Sequence, residues 1–496
     1  MSQLKALAGQ TAIYGLSSIL GRVINYLLVG LHTSVFLLSD MGTVSELYGS
    51  IALILIVITF GMETTFFRFS SKQISGNAYG VTSTVVLLVS SLIALLIYYN
   101  AGLFGLFIVG PSFSNDQIII IQLMAGIIMI DGIMAIPFAK LRIENKPMRF
   151  VLAKLVGIIA NIILQVLFLI IFPAIYNGDY LLSLQPLINN IYNPNYGIEY
   201  IFIANLLGNL VVLPFLGREF LQLRLGLSWP TLRPMLVYAL PLVATGLAGW
   251  IVSDFDKLAV AKWAADGLNN QGIYTQTFKL GALMLLAIQA FRYAAEPFFF
   301  AQSTDKNAPE LLAKTFHYFV IFALLLLLVI SVNIEWIAHI LLRKPEFRTA
   351  LYLVPIIMFG KLLFGVYINI SIWYKLKDKT IYGLLFTLIG ATVAITVNYL
   401  LLPVIGMLGS AIAIVLSYLA MSISCYFLGR KYMPVPYNFT PLLGYSIVIL
   451  ALVISSFFIQ FSNNAVDIAF NITAPLVIFV IIYKLEKRKI LAKIEN

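Results

Sequence analysis

Charged side chains interrupt several long apolar stretches of this 496-residue sequence. Residues 60–72, FGMETTFFRFSSK, end an apolar run that begins near residue 47, and they carry Glu63 and Arg68. Inside a membrane helix, a carboxylate can serve a proton or Na⁺ site, and a basic side chain can bind phosphate. Since a charge at a helix centre costs about 2.5–3.5 kcal/mol, such residues usually face a partner or a watery cavity.

The same residue types recur along the chain and form three groups of candidates. The candidate cations for a cavity that binds a substrate are Arg22, Lys279, Lys361 and Arg68. The candidate ion-coupling acids are Glu63, Asp131 and Asp254. The charges interpreted as structural pairs are Arg292, Glu296, Asp256 and Lys257.

Helical spacing separates the charges that can pair locally from those that cannot. Arg292 and Glu296 are four positions apart on one helix face, and Asp254 and Lys257 are three apart. By contrast, the cations at positions 22, 279 and 361 have no acid three or four positions away. Arg68 can extend its charge to the interface, as can Lys154 and Lys262, which we interpret as interfacial.

Glu63 cannot pair properly with Arg68, because five positions turn a helix well off one face. Its partner is therefore expected on another helix, on the first or the fourth span. A structural bridge between Glu63 and Arg22 is the alternative to a proton or Na⁺ site.

The elements that position these charges are membrane helices. Of the residues, 61% are hydrophobic and 11% are charged, and the mean hydropathy is +0.96. A soluble domain carries about 25% charged residues, whereas a spanning helix needs roughly 20 apolar residues. The sequence predicts fourteen spans: 10–38, 47–70, 79–104, 116–138, 150–172, 199–218, 234–258, 272–298, 313–333, 349–373, 379–402, 405–428, 441–461 and 464–484.

Lys and Arg orient these spans. The loops on the side of the N-terminus hold 23 of them by this assignment, and the opposite side holds only Arg343, Lys344 and Arg348. Because cytoplasmic loops are rich in Lys and Arg, both termini are predicted to be cytoplasmic. The net charge of +11 then follows from topology, so no nucleic-acid partner is expected.

Two sets of six spans predict an internal repeat. Spans 2 and 8 both run inward and end in aromatic residues beside an arginine, although aromatic residues and arginine mark any interface. The predicted domains are an N-lobe at 1–225, a C-lobe at 226–432, and accessory helices 13 and 14 with a basic tail at 433–496. The loop at 173–200 is rich in Asn, Tyr and Pro and contains no Lys or Arg.

Motifs for other classes of protein are missing from the sequence. Three isolated histidines give no metal-ligand spacing, and Cys425 alone cannot form a disulfide framework. No phosphate-binding glycine loop and no nucleophile-elbow motif occur, so no catalytic residue and no metal or other cofactor is predicted.

Several motifs resemble those of bacterial polysaccharide flippases of the O-antigen (Wzx-like) type, in the multidrug/oligosaccharidyl-lipid/polysaccharide (MOP) exporter superfamily. They are GQTAIYGLSSILGRVINYLLVG, FGMETTFFRFSSK, LPLVATGLAGWIVSDFDKLAV and GIYTQTFKLGALM. The resemblance spans essentially the whole chain, and its motifs are loose. It implies two six-helix lobes around a cavity that opens alternately to each side of the membrane.

The resemblance also implies a function. Such flippases move undecaprenyl-diphosphate-linked oligosaccharide across the bacterial inner membrane, and a glycan polymerase with chain-length machinery would use the product. Cationic cavity residues would hold the diphosphate, and Arg22, Lys279 and Lys361 match that requirement in kind. The alternatives are a lipid II flippase, a multidrug or cation antiporter, and a membrane-embedded glycan polymerase or ligase.

Overall fold

The computed structural model describes residues 2–71, 77–111, 113–301, 307–458 and 464–494, where all regular secondary structure is helical. Side chains are described in the same ranges except at 2–18, 71, 115, 294, 296–298, 300–301, 464–465 and 489–494.

The first helices of the chain are α1 (Ser2–Val35), α2 (Leu38–Thr59), α3 (Met62–Ser71), α4 (Ala78–Tyr99), α5 (Ala101–Ile108), α6 (Ile118–Ile143), α7 (Pro147–Val166), α8 (Phe172–Tyr176), α9 (Gln185–Ile191), α10 (Glu199–Val212), α11 (Gly217–Leu221) and α12 (Trp229–Trp263). A π-helical turn, Leu167–Ile171, joins α7 to α8 ahead of Pro173, whose missing N–H disturbs the regular ladder.

The remaining helices are α13 (Gly267–Gly281), α14 (Leu283–Ala301), α15 (Ala308–Val332), α16 (Ile334–Leu341), α17 (Val354–Ile370), α18 (Ile372–Leu376), α19 (Ile381–Ile405), α20 (Met407–Tyr432), α21 (Phe439–Ser456) and α22 (Asn464–Ile494). Short 3₁₀ turns occur at Asn115–Gln117, Leu182–Leu184, Leu213–Leu216, Pro345–Arg348 and Leu351–Leu353.

The predicted all-α, multi-pass membrane architecture is confirmed. Twelve segments of the described residues are long and apolar enough to cross a membrane, and Ile19–Val35 adds a shorter apolar helix. Of the predicted spans, the first corresponds to α1, and the eighth is interrupted between α13 and α14. The number fourteen and the cytoplasmic side of the termini stay predictions.

Backbone contacts divide the chain into two compact units, Met1–Gly272 and Ile273–Asn496. In the first unit, α4 packs against α6, α7 packs against α10, and α12 packs against α2 and α3. In the second unit, α20 packs against both α17 and α19. The predicted domain limits at 225/226 and 432/433 stay predictions.

The helical path of the second predicted span breaks at Phe60 and Gly61, between α2 and α3. Both residues have positive φ angles, 28° and 72°. A Cβ atom on Gly61 would lie 2.9 Å from the Leu242 Cβ atom and 3.2 Å from the Ala239 carbonyl oxygen of α12. Glycine is required here for two reasons, because the backbone is left-handed and because α12 approaches closely.

Small residues also allow close packing between α7 and α10. A Cβ atom on Gly208 would lie 3.1 Å from the Gly157 carbonyl oxygen and 3.2 Å from the Asn161 nitrogen. Membrane helices associate through such close backbone approach because lipid provides no hydrophobic drive between them.

The loop after α16 holds the three basic residues on the side predicted to be outside, and one of them has a local structural role. The Arg348 side chain donates 2.7 Å hydrogen bonds to the carbonyl oxygens of Leu342 and Arg343, which follow the end of α16. Arginine thereby satisfies carbonyls that have no partner within the helix. This capping explains one of the three basic residues on the side predicted to be outside.

The last two helices, α21 and α22, pack against α15 through a shared carboxylate. Glu486 of α22 accepts a 2.7 Å hydrogen bond from the Tyr445 hydroxyl of α21, and its other oxygen lies 2.9 Å from the His317 ring nitrogen of α15. One side chain thus joins three helices.

We expect Glu486→Ala to lower the thermal unfolding midpoint of the purified protein, measured in detergent by tryptophan fluorescence. Hydrogen bonds to a charged group contribute about 1.5–3 kcal/mol each, so the loss should be clear. The matched control is Lys487→Ala, which changes an exposed neighbour on α22. Equal midpoints for the two variants would contradict the role given to Glu486.

We expect Gly61→Ala to destabilise the protein by at least about 2 kcal/mol. A left-handed alanine costs about 1–2 kcal/mol, and overpacking against α12 adds about 1–3 kcal/mol. Gly102→Ala is the control, because a Cβ atom there meets nothing within 4 Å. Thermal unfolding of the purified protein in detergent, followed by tryptophan fluorescence, compares the two variants. A Gly61→Ala protein as stable as the Gly102→Ala protein would refute the packing argument.

Candidate functional site

The break between α2 and α3 places Glu63 in the first turn of α3, where the helix dipole favours a negative charge. The Arg142 side chain of α6 donates a 2.5 Å hydrogen bond to the Glu63 carboxylate. About a third of each side chain is exposed, so solvent or substrate can reach the pair. Arg142 lies on α6, the helix that contains the fourth predicted span, but four residues beyond the predicted end of that span at 138. Glu63 is thus paired with Arg142 and not with Arg22.

The Arg142 guanidinium is also packed between rings, 5.0 Å from the Phe67 ring centre and 5.8 Å from that of Phe150. Nearby, the Arg68 guanidinium lies 4.2 Å from the ring centre of Tyr238 on α12. Cations over aromatic faces gain about 0.5–2 kcal/mol, which helps to hold them away from bulk water.

Asp131 lies in a chain of polar side chains within the first unit. The Asn209 amide donates to the Asp131 carboxylate at 2.9 Å and lies 3.3 Å from the Asn205 side-chain oxygen. The Asn205 amide in turn donates to the Tyr48 hydroxyl at 2.8 Å. These residues come from α2, α6 and α10, so the hydrogen-bonded series of side chains connects three helices of the first unit. It offers a carboxylate, amide oxygens and a hydroxyl, all suitable for a proton or for Na⁺.

Lys154 of α7 joins the same region. Its charge acts on both Asp131 and Glu63, and its Nζ atom lies 4.2 Å from the Phe138 ring centre. The sequence interpretation of Lys154 as an interfacial residue overlooked these neighbours. Tertiary contacts, which helical spacing does not reveal, bring them together.

Two buried acids of the first unit were missed by sequence reasoning. Glu46 is 2% exposed and lies 3.2 Å from the Lys262 ammonium, which also donates to the Ile108 carbonyl oxygen. Glu219 is 1% exposed and accepts two hydrogen bonds from Arg149, at 2.8 and 3.0 Å. Glu46 precedes the predicted second span by one residue, and Glu219 follows the sixth by one residue, so both lie outside the predicted spans in which charges were considered.

Asp254 and Lys257 form an ion pair one helical turn apart on α12, and the Ser253 hydroxyl donates to Asp254 at 2.5 Å. Lys257 thus pairs with Asp254, whereas Asp256 is buried elsewhere on the same helix. This geometry is that of the local structural pair. The ion-coupling role of Asp254 stays a prediction.

In the second unit, a buried cation lies among aromatic rings. Lys361 of α17 is 1% exposed, and its Nζ atom lies 4.7 Å from the Phe278 ring centre and 5.3 Å from that of Tyr418. These rings belong to α13 and α20. A buried ammonium is rare because of its cost, and its location therefore points to a functional site.

Lys279 follows Phe278 on α13 and donates a 3.0 Å hydrogen bond to the Gln276 side chain. Thr275, Gln276 and Thr277 are buried beside it, which is unusual for a membrane helix. The helical path then breaks at Ala282, before α14 begins. A polar segment next to a helix break is typical of transporter substrate sites.

The remaining predicted site residues are Arg22, Arg292 and Glu296. Arg22 is exposed on α1, one turn before Tyr26. The Arg292 guanidinium lies 5.5 Å from the Tyr293 ring centre. The Glu296 side chain lies outside the described residues, so its pairing with Arg292 stays a prediction. The cavity-facing roles of Arg22, Lys279, Lys361 and Arg68 stay predictions as well.

No protein-family model matches the chain, and no curated protein matches its sequence. Solved structures do match. The lipid II flippase MurJ in an inward closed conformation matches with a TM-score of 0.70 and 15% identity, over 95% of this chain and 98% of that chain.

Two further structures come from the MOP superfamily. An inward-facing multidrug resistance MATE transporter matches with a TM-score of 0.60 and 16% identity, over 89% of this chain and 95% of that chain. A Pyrococcus furiosus transporter, described as having a binding pocket of reverse polarity, matches with a TM-score of 0.55 and 16% identity, over 86% and 94%. The chain therefore has the fold of MOP-superfamily transporters.

Proposed function

We propose that this protein flips an undecaprenyl-diphosphate-linked oligosaccharide from the cytoplasmic to the outer leaflet of a bacterial inner membrane, by alternating access. The observation that carries the proposal is the polar and cationic group around the α13–α14 break, in which Lys361 and the polar residues of α13 are buried and Lys279 is half-buried. A diphosphate needs such cations, whereas a cationic drug would need acids in their place.

The helix breaks support this assignment. Interrupted helices occur in the second and the eighth predicted spans, which occupy corresponding positions if spans 1–6 and 7–12 are repeats. In secondary transporters, interrupted segments at corresponding positions of two halves are the best indication of a binding site. After the first break, Glu63 lies in the first turn of α3. The second break, at Ala282, lies three residues after Lys279.

A lipid-linked oligosaccharide needs a polar path through the membrane. Each sugar hydroxyl that lost its hydrogen bonds in hydrocarbon would cost about 2–7 kcal/mol, so a hydrated path is needed. The polyprenyl tail can remain in lipid while the head group crosses. A membrane potential of 100 mV supplies about 2.3 kcal/mol per charge, which favours export of an anionic head group from a negative cytoplasm.

A lipid II flippase is the second candidate function, because MurJ has the highest TM-score among the structures described above. Lipid II and lipid-linked glycans share the polyprenyl diphosphate and differ in the attached sugars and peptide. Complementation separates the two: the chain should restore surface polysaccharide in a strain without its glycan flippase, and it should not rescue a strain depleted of its lipid II flippase. The reverse result would favour lipid II.

In this complementation assay, we expect Lys279→Gln and Lys361→Met to reduce surface polysaccharide while the protein remains in the membrane. Loss of one charge-assisted contact of about 1.5–3 kcal/mol corresponds to roughly 10–100-fold weaker binding. Lys279→Arg keeps the charge and should retain most activity. Lys377→Gln, an exposed lysine between α18 and α19, is the control. Full activity of both charge-removing variants at normal abundance would refute a cation-dependent site.

We propose further that H⁺ or Na⁺ couples to transport at Asp131, with Glu63 and Asp254 as the other candidate acids. In proteoliposomes, Asp131→Asn should still transport substrate but lose its response to an imposed H⁺ or Na⁺ gradient. A neutral amide neither binds a proton nor balances the positive charge of Na⁺. Asp116→Asn, at an exposed residue of a 3₁₀ turn, should behave as the parent protein. An unchanged gradient response in Asp131→Asn would exclude this site.

A further inference from the structure

The segment between α8 and α10, residues 177–198, forms a structured hairpin at one end of the first unit. It contains a 3₁₀ turn, Leu182–Leu184, followed directly by α9. Membrane-crossing segments flank it on both sides, Pro147–Tyr176 and Glu199–Leu221. The Lys and Arg distribution predicts that this end of the unit is the outer one.

Aromatic stacking and hydrogen bonds fix the hairpin against the helix ends. The Tyr192 and Tyr200 rings stack at 5.3 Å with an interplanar angle of 7°, and Tyr200 stacks on Phe168 at 4.9 Å. The Tyr200 hydroxyl accepts from the Asn193 backbone nitrogen at 2.7 Å and donates to its carbonyl oxygen at 3.0 Å. Burial raises the pKa of the Tyr192 phenol, and neighbouring Tyr176 contributes in the same direction.

The start of α9 is fixed as well. The Gln185 side-chain amide donates to the Tyr176 carbonyl oxygen at 3.0 Å, and Ile188 is buried against the unit. The hairpin therefore has one defined orientation, and the residues that it exposes are determined by the fold.

The exposed surface of this hairpin is apolar. Leu184, Leu187 and Ile191 lie on one side of α9 by helical spacing and are 42%, 56% and 58% exposed. Leu182, in the preceding turn, is 63% exposed. The opposite side of α9 carries the exposed Asn189. We call Leu181, Leu182, Leu184, Leu187 and Ile191 the leucine face.

Leu181 is a notable member of the leucine face. Its φ angle is 53°, in the left-handed region that favours glycine or asparagine, and its side chain is 54% exposed. A leucine in this conformation costs about 1–2 kcal/mol relative to glycine. Neither backbone conformation nor burial explains a leucine at this position, so contact with an apolar medium is the remaining physical reason.

The surroundings of the hairpin identify that medium. Both ends of the hairpin enter the membrane, and the neighbouring helix exposes further apolar residues, Ile159, Ile163 and Ile170. The segment contains no Lys or Arg, and Asp179 is its only acid. Burial of the leucine face in lipid gains about 25 cal/mol per Å² and requires no basic residue to be desolvated.

We propose that the 177–198 hairpin lies in the surface of the outer leaflet and inserts its leucine face among the lipid acyl chains. The amphipathic α9 would then lie in the membrane plane with Asn189 toward water, as interfacial helices do. Its apolar side would reach about 5–10 Å into the boundary between head groups and acyl chains. Binding is insensitive to lipid charge, because the hairpin has no basic residue. This surface is independent of the substrate proposed above.

Two positions on opposite sides of α9 test the proposal. In a Cys425→Ala background, Leu187→Cys and Asn189→Cys are labelled with an environment-sensitive fluorophore, and the full-length protein is reconstituted in phosphatidylcholine vesicles. The label at position 187 should emit at shorter wavelength and be quenched several-fold more strongly by acyl-chain nitroxide lipids. The label at position 189 should be quenched mainly by aqueous iodide. High salt should change neither result.

Other outcomes would overturn the proposal. Equal iodide quenching at positions 187 and 189, without lipid quenching, would show a hairpin in water. Quenching at position 187 that requires a second labelled copy of the chain would show self-association instead. Ile191→Cys provides a second reporter on the leucine face and should reproduce the result for position 187. Transport activity is not needed for the measurement, so its outcome is separate from that of the proposed function.

Discussion

An ionised side chain inside a bilayer must find a partner or water, and this constraint accounts for the polar structure of both units. At about 2.5–3.5 kcal/mol per central charge, uncompensated charges would offset a large part of the stability of a protein. In the first unit, acids form ion pairs with cations on helices that are far apart in the sequence, such as Glu63 with Arg142 and Glu46 with Lys262. The second unit surrounds Lys361 with aromatic rings. The arrangement of charges therefore distinguishes an N-terminal unit with several acids from a C-terminal unit with a buried cation.

Interrupted helices make this arrangement possible. A continuous helix would place Glu63 in mid-ladder, whereas the break at Gly61 gives it the favourable N-terminal end of α3. The break between α13 and α14 likewise ends a polar segment that contains Lys279. Backbone irregularity at membrane depth is tolerated only where protein or water satisfies it. Such breaks are therefore expected where neighbouring protein groups or water can satisfy the freed backbone N–H and C=O groups.

The sequence alone was sufficient for the all-helical, multi-pass architecture, because long apolar runs predict helices that can cross a bilayer. It did not reveal the breaks within the second and eighth predicted spans. It was also sufficient to show that Glu63 needs a distant partner, and to find the local pair of Asp254 and Lys257. It could not identify Arg142 as that partner, because the two residues lie 79 positions apart. For the same reason Lys154 and Lys262 were assigned to the interface, although tertiary packing brings acids near both. Helical periodicity reports only neighbours on one helix.

The close approach at Gly61 has a mechanical consequence. A Cβ atom added at Gly61, directly before α3, would meet both the Leu242 side chain and the Ala239 carbonyl oxygen of α12, so α12 lies against the start of α3. Glu63 is in the first turn of α3, whereas its partner Arg142 belongs to α6. The distance between the two charged groups therefore depends on how α3 is held between α12 and α6, and a displacement of either neighbour would open the ion pair to water.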